Sequence, residues 1–140
     1  MELGTVLLLA SLLLMVLGVG ACASLDVTPE KAEKLTASKN DLVVIDVREA
    51  SEFCDERGHI PGALNYPYTS GVLAARYEEL PKDRPILVVC RSGRRSKLAA
   101  ELLRSQGYSK VYDMNGGMNV WQWETVPCAE AAGSNAPAGS

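Results

Sequence analysis

Ile86-Leu87-Val88-Val89-Cys90-Arg91-Ser92-Gly93-Arg94-Arg95-Ser96 lies past the middle of the 140-residue chain and sets its architecture. Its first four residues are apolar and mostly β-branched, the composition of a strand buried on both faces of a parallel sheet. The run stops at Cys90, a glycine follows within three positions, and the spacing then predicts a helix over residues 95–106. Leu98, Leu102 and Leu103 would share one face of that helix, with Gly107 as its stop. In open parallel sheets the ligand crevice lies at the carboxyl ends of the strands, so sequence position alone puts Cys90 there.

The same alternation continues on both sides of this segment. Thr28, Pro29 and Glu30 have the residue types of an N-cap, a first helical position and a first-turn acid, which predicts a helix over residues 31–37 ended at Asn40-Asp41. Residues 42–47 form an apolar, β-branched run that suits another buried strand. A short helix is expected over residues 49–55. Gly58-His59-Ile60-Pro61-Gly62-Ala63 then makes a turn into a brief strand at residues 63–65. Residues 72–80 show helical spacing ended by Pro81, and residues 110–112 supply a further strand. Strands alternating with helices imply an α/β fold: one domain over residues 24–128, with a central parallel sheet and helices on both faces. Trp121 and Trp123 are expected to pack a last short helix.

The two ends read differently from this middle. Residues 3–25 contain no charge, and residues 6–19 are almost continuously apolar, as in the hydrophobic region of a secretory signal. Residues 1–22 are therefore expected to be a signal peptide or a membrane anchor. Val19-Gly20-Ala21-Cys22 resembles the lipobox of bacterial lipoproteins, which makes Cys22 the expected lipidation site and the periplasmic side of a membrane the expected location. Two alternatives stay open: cleavage after Ala23 to give a soluble periplasmic protein, or an uncleaved span, for which about 20 apolar residues suffice. Residues 129–140 are rich in Ala, Gly, Ser and Pro and are expected to be a disordered tail.

The formal net charge of −3 gives the chain no global attraction to nucleic acid. Cations are nevertheless concentrated at one place: Arg91, Arg94, Arg95 and Lys97 follow Cys90 directly. A strand-end Cys can be nothing more than a small buried hydrophobe. Here the glycine-bearing loop, the N-terminus of the next helix and the local cations all favour a thiolate and attract an anionic substrate.

Three blocks in order resemble the rhodanese family across residues 29–127. They are Asp46-Val47-Arg48-Glu49 leading to Gly58-His59-Ile60-Pro61-Gly62-Ala63-Leu64-Asn65, the Cys90 loop, and Gly116-Gly117-Met118-Asn119-Val120-Trp121. The resemblance implies a sulfurtransferase in which Cys90 takes a sulfane sulfur from a small anionic donor as a persulfide. A thiol or cyanide acceptor would then receive it. Arg91, Ser92, Gly93, Arg94, Arg95 and Ser96 would bind the substrate, and no metal or organic cofactor is implied. Related phosphatases and arsenate reductases place five residues between Cys and Arg, whereas four separate Cys90 from Arg95, as in the sulfur-transferring members. Arg91 at the second loop position favours thiosulfate or a polysulfide over mercaptopyruvate. A second reading is a rhodanese-type binding or sulfur-carrier module at the membrane that does not turn over.

Other conspicuous residues are given structural roles. His59 is expected to be a hydrogen-bonded turn residue, and Asp46 with Arg48 an ion pair or helix cap. Cys54 and Cys128 are free or bonded to each other, leaving Cys90 as the working thiol; alternatively one of them resolves a Cys90 persulfide.

Overall fold

In the computed structural model, residues 25–38 and 41–128 are described. The expected leader, Cys22, Asn40 and the tail lie outside them. Five strands, β1 (Asp26–Val27), β2 (Val43–Asp46), β3 (Leu64–Asn65), β4 (Ile86–Val89) and β5 (Val111–Met114), form one parallel sheet in the order β1-β5-β4-β2-β3. The helices are α1 (Pro29–Ser38), α2 (Ala50–Phe53), α3 (Val72–Arg76) and α4 (Arg94–Ser105).

The two central strands, β2 and β4, are buried along their whole length, and consecutive side chains feed opposite cores. Val43, Ile45, Ile86, Val88 and Cys90 point towards α3 and α4, where Leu73, Ala99, Ala100 and Leu103 close over them. Val44, Leu87, Val89 and Met114 point towards α1, which contributes Ala32 and Leu35. Layers on both faces explain why β2 and β4 are continuous apolar runs with no polar alternation.

Several expected elements are altered. Leu98 is 43% exposed and does not share the buried face of α4, which is built from Ser96, Ala99, Ala100 and Leu103. Small residues let α4 sit close to the sheet, and Leu102 covers only the margin. The helix expected to reach Leu80 tightens after Arg76 into a 3-10 turn, Tyr77–Glu79, whose end is tied down by the Tyr108 hydroxyl donating to the carbonyls of Tyr77 and Leu80. α2 is a single turn, closed by a capping box between Glu49 and Glu52. In place of a last helix, Gly117–Asn119 makes one 3-10 turn; Trp121 packs against the α1-side core and Trp123 meets it edge-on. Thr28 caps α1 as expected, its hydroxyl accepting from the Lys31 N–H at 3.3 Å. Among the described residues no helix is long and apolar enough to cross a membrane.

Candidate active site

β4 delivers Cys90 to the carboxyl edge of the sheet, and the chain must reverse there to start α4. Gly93 makes the reversal with φ +94°, and a Cβ on it would stand 3.0 Å from the Gly116 nitrogen. Its N–H donates to Cys90 Sγ at 3.1 Å. Ser96, buried in the first turn of α4, places Oγ 3.5 Å from the same sulfur and 3.2 Å from the Gly93 carbonyl. The N–H groups of Ser92, Arg94, Arg95 and Ser96 find no acceptor among the described residues, as expected where a helix begins. The buried sulfur therefore lies under a loop that carries unpaired backbone donors, the arrangement that holds an anionic sulfur or oxygen. Cys90 itself has no accessible surface, so a donor reaches Sγ only when neighbouring side chains move aside.

The loop is held from outside by the 3-10 turn after β5. Met118 N–H donates to the Cys90 carbonyl at 2.8 Å and Asn119 N–H to the Arg91 carbonyl at 2.9 Å. This approach needs Gly117: a Cβ there would lie 2.5 Å from the Cys90 oxygen and 2.6 Å from the Arg91 carbonyl.

Among the expected binding residues, Arg91, Ser92 and Arg94 are exposed at the rim and Gly93 and Ser96 contact the sulfur. Arg95 is placed differently from expectation. Its guanidinium makes a bidentate pair with Glu52 on α2, at 2.7 and 2.8 Å, while Arg91 stands 3.8 Å from the same carboxylate. That hydrogen-bonded pairing holds the Glu52 carboxyl down to about 2 and pushes Arg95 up. Of the four cations after Cys90, Arg95 is thus neutralised and Arg91 partly so. Arg94 and Lys97 are left at the exposed start of α4.

Glu52 escaped the sequence reading, although its three-residue spacing from Glu49 carries a capping signature. Asp113 escaped it too. Its signal was a lone acid in an apolar strand. It lies on β5 in register with Val88, 2% exposed, and Oδ1 has no hydrogen-bond partner among the described residues. Burial pushes its carboxyl up, opposed in part by the nearby Ser96 hydroxyl.

The remaining conspicuous residues build the scaffold. Asp46 and Arg48 are a buried ion pair at 2.7 Å. Arg48 also donates to the carbonyls of Glu52 and Gly58, at 3.1 and 2.9 Å, which fixes α2 and the following turn. His59 Nδ1 lies 3.1 Å from the Phe53 carbonyl, its ring is stacked on Phe53, and its backbone pairs with Val126. Cys54 and Cys128 form a disulfide, which resolves the alternatives left open by the sequence and makes Cys90 the free thiol among the described residues. Among those residues no group of acidic, His or Cys side chains is placed to hold a metal ion.

Comparison with known proteins agrees with this geometry. Residues 28–124 match the rhodanese-like domain family. A sulfurtransferase of Allochromatium vinosum is 32% identical over 108 residues, covering 77% of this chain and 97% of that one. Thiosulfate sulfurtransferase GlpE of Pseudomonas putida is 40% identical over 108 residues, covering 77% and 93%. A crystal structure of a rhodanese-related protein from Thermoplasma volcanium superposes with a TM-score of 0.60 at 27% identity, covering 69% of this chain and 88% of that one. The family match spans β2 to β5, the Cys90 loop and the turn that clamps it, and the chain belongs to the rhodanese-like domain family.

Proposed function

We propose that this sulfurtransferase moves a sulfane sulfur from thiosulfate or a polysulfide to a thiol or cyanide through a persulfide on Cys90. The observation that carries the reading is the free Cys90 sulfur accepting from the Gly93 N–H, in a six-residue loop whose other amides are unpaired among the described residues. In the first half-reaction the thiolate attacks the outer sulfur of thiosulfate. A bond forms between Sγ and that sulfur, the sulfur–sulfur bond of thiosulfate breaks, and sulfite leaves with the electron pair. The persulfide is an anion, and the Gly93 N–H with the unpaired amides of the loop would lower its energy as an oxyanion hole does. In the second half-reaction the acceptor attacks the outer sulfur and Cys90 leaves as thiolate. Arg91 and Arg94 at the rim draw the anionic donor in. A loop this short cradles one sulfur atom better than a tetrahedral phosphate, which disfavours phosphatase or arsenate reductase chemistry.

The enzyme acts outside the cytoplasm, held to the periplasmic side of a membrane through lipidated Cys22. Supporting this are the apolar run before Cys22 and the Cys54–Cys128 disulfide, since such bonds persist in oxidising compartments. The function is tested by thiocyanate production from thiosulfate and cyanide, which must be present in the wild type and lost in Cys90→Ser. The location is tested by the mass of the mature N-terminus: acylated Cys22 supports it, and an intact Met1 in the membrane-free fraction contradicts it.

A further inference from the structure

A site that collects anions keeps a carboxylate against its own arginines. Glu52 reaches the Cys90 loop from α2 and accepts from two guanidinium nitrogens of Arg95, at 2.7 and 2.8 Å. The same carboxylate stands 3.8 Å from Arg91, the residue that follows Cys90. Its position is fixed from behind. The Glu49 N–H donates to it at 3.0 Å, Arg48 donates to the Glu52 carbonyl at 3.1 Å, and Cys54, bonded to Cys128, ends the helix two residues later.

The four cations that follow Cys90 feel this carboxylate unequally. Arg95 is paired outright and Arg91 in part, whereas Arg94 and Lys97 have no ion-pair partner among the described residues. With its carboxyl held at about 2, Glu52 stays charged at any pH near neutrality, so the cancellation is permanent there. Its consequence depends on what the donor carries. A local loss of one positive charge costs a dianion twice what it costs a monoanion at the same place, because the energy scales with the donor's charge. Thiosulfate is a dianion; an alkanethiosulfonate offers the same kind of sulfur–sulfur bond with one charge fewer.

We propose that Glu52 is a specificity-determining residue for the donor: by cancelling Arg95 and part of Arg91 it shifts the site from dianionic towards singly charged sulfane donors of the alkanethiosulfonate type. Both donors react alike at Cys90. The thiolate bonds to the outer sulfur, the donor's sulfur–sulfur bond breaks, and the leaving group departs with the electron pair, as sulfite from thiosulfate or as a sulfinate from an alkanethiosulfonate. Only the charge outside the reacting bond differs, and Glu52 acts on that charge.

The inference rests on Cys90 receiving the sulfur, so its test pairs sulfur transfer with a reaction that needs none. Glu52→Gln removes the charge but keeps an oxygen able to accept from the Glu49 N–H and from Arg95, so α2 retains its cap. In the full chain at low salt, kcat/KM for thiosulfate divided by that for methanethiosulfonate is expected to rise about fivefold, the scale of one unit charge several ångströms away in partly screened surroundings. Alkylation of Cys90 by iodoacetate, divided by its alkylation by neutral iodoacetamide, should rise with it. The thiolate fraction and the access to the buried sulfur cancel in both ratios. Added salt should bring both back towards the wild type. Unchanged ratios, including an equal fall of all four rates, would make Glu52 a purely structural tie and overturn the proposal. If neither donor loads Cys90, the sulfur-transfer reading fails, and the alkylation ratio alone decides the role of Glu52.

Discussion

Glu52 shows how much one side chain carries at this site. Its carboxylate accepts from the Glu49 N–H at 3.0 Å, closing α2, and binds both guanidinium nitrogens of Arg95. The carboxyl stands at about 2, below its ordinary value, so its stabilising contribution is complete above the ordinary carboxylate range and is lost as pH falls from there. Glu52→Gln is therefore expected to be less stable than wild type near neutrality, by about 1 kcal/mol for a pair whose side chains are 23% and 19% exposed. The difference should vanish towards the acid end of a urea-unfolding series. Asp113 has the opposite sign. Its raised carboxyl stabilises the fold fully at low pH, and that contribution is lost as pH rises through the raised value. Asp113→Asn should accordingly gain melting temperature over wild type as pH increases. The cap that Glu52 makes with Glu49 has a signature in the sequence, but its pairing with Arg95 and the burial of Asp113 depend on partners distant in the chain and had none.

At the scale of elements, the segment from β4 through the Cys90 loop to α4 was readable because its polarity changes abruptly and its glycine sits where the chain must turn. The buried face of α4 was not. Leucine spacing pointed to Leu98, yet the sheet contacts Ala99 and Ala100, since close helix–sheet approach selects small side chains over long ones. β1 spans two residues and has no periodicity to detect; it exists because Asp26 and Val27 add to the edge of β5. In the sequence the turn Gly117–Asn119 is marked only by its resemblance to the family, and its physical role is the clamp on the Cys90 and Arg91 carbonyls. Gly117→Ala forces a Cβ into those carbonyls and a side chain onto a φ of +62°. The expected cost is on the order of 2 kcal/mol in unfolding free energy. Persulfide formation should slow as well, measured under conditions where the variant remains folded. Arg48 links this level to the next: by binding Asp46, Glu52 and Gly58 it holds α2 where Glu52 can reach the loop.

Across the whole molecule, the parallel sheet supplies the crevice and the disulfide ties the C-terminal segment of the domain back to the end of α2. Cys54 and Cys128 are 74 residues apart in sequence, so the bond encloses β3, β4, β5 and the active-site loop. It also joins the end of α2 to the segment whose Val126 pairs with His59. Replacing both cysteines by serine is expected to lower stability by about 2–4 kcal/mol through the freed unfolded chain. The double variant should still form a persulfide, because Cys90 shares no bond with either residue. From the sequence Cys54 and Cys128 could be free, bonded to each other, or in one case a resolving partner for Cys90; only the fold brings residues 54 and 128 within 5.1 Å at Cα. The central claim is tested most directly by the mass of the Cys90 peptide after the full chain has met thiosulfate and excess donor has been removed. The account predicts a gain of one sulfur atom on Cys90 that disappears on adding cyanide, with thiocyanate released in equal amount. A Cys90 peptide unchanged by thiosulfate and by polysulfide would contradict it.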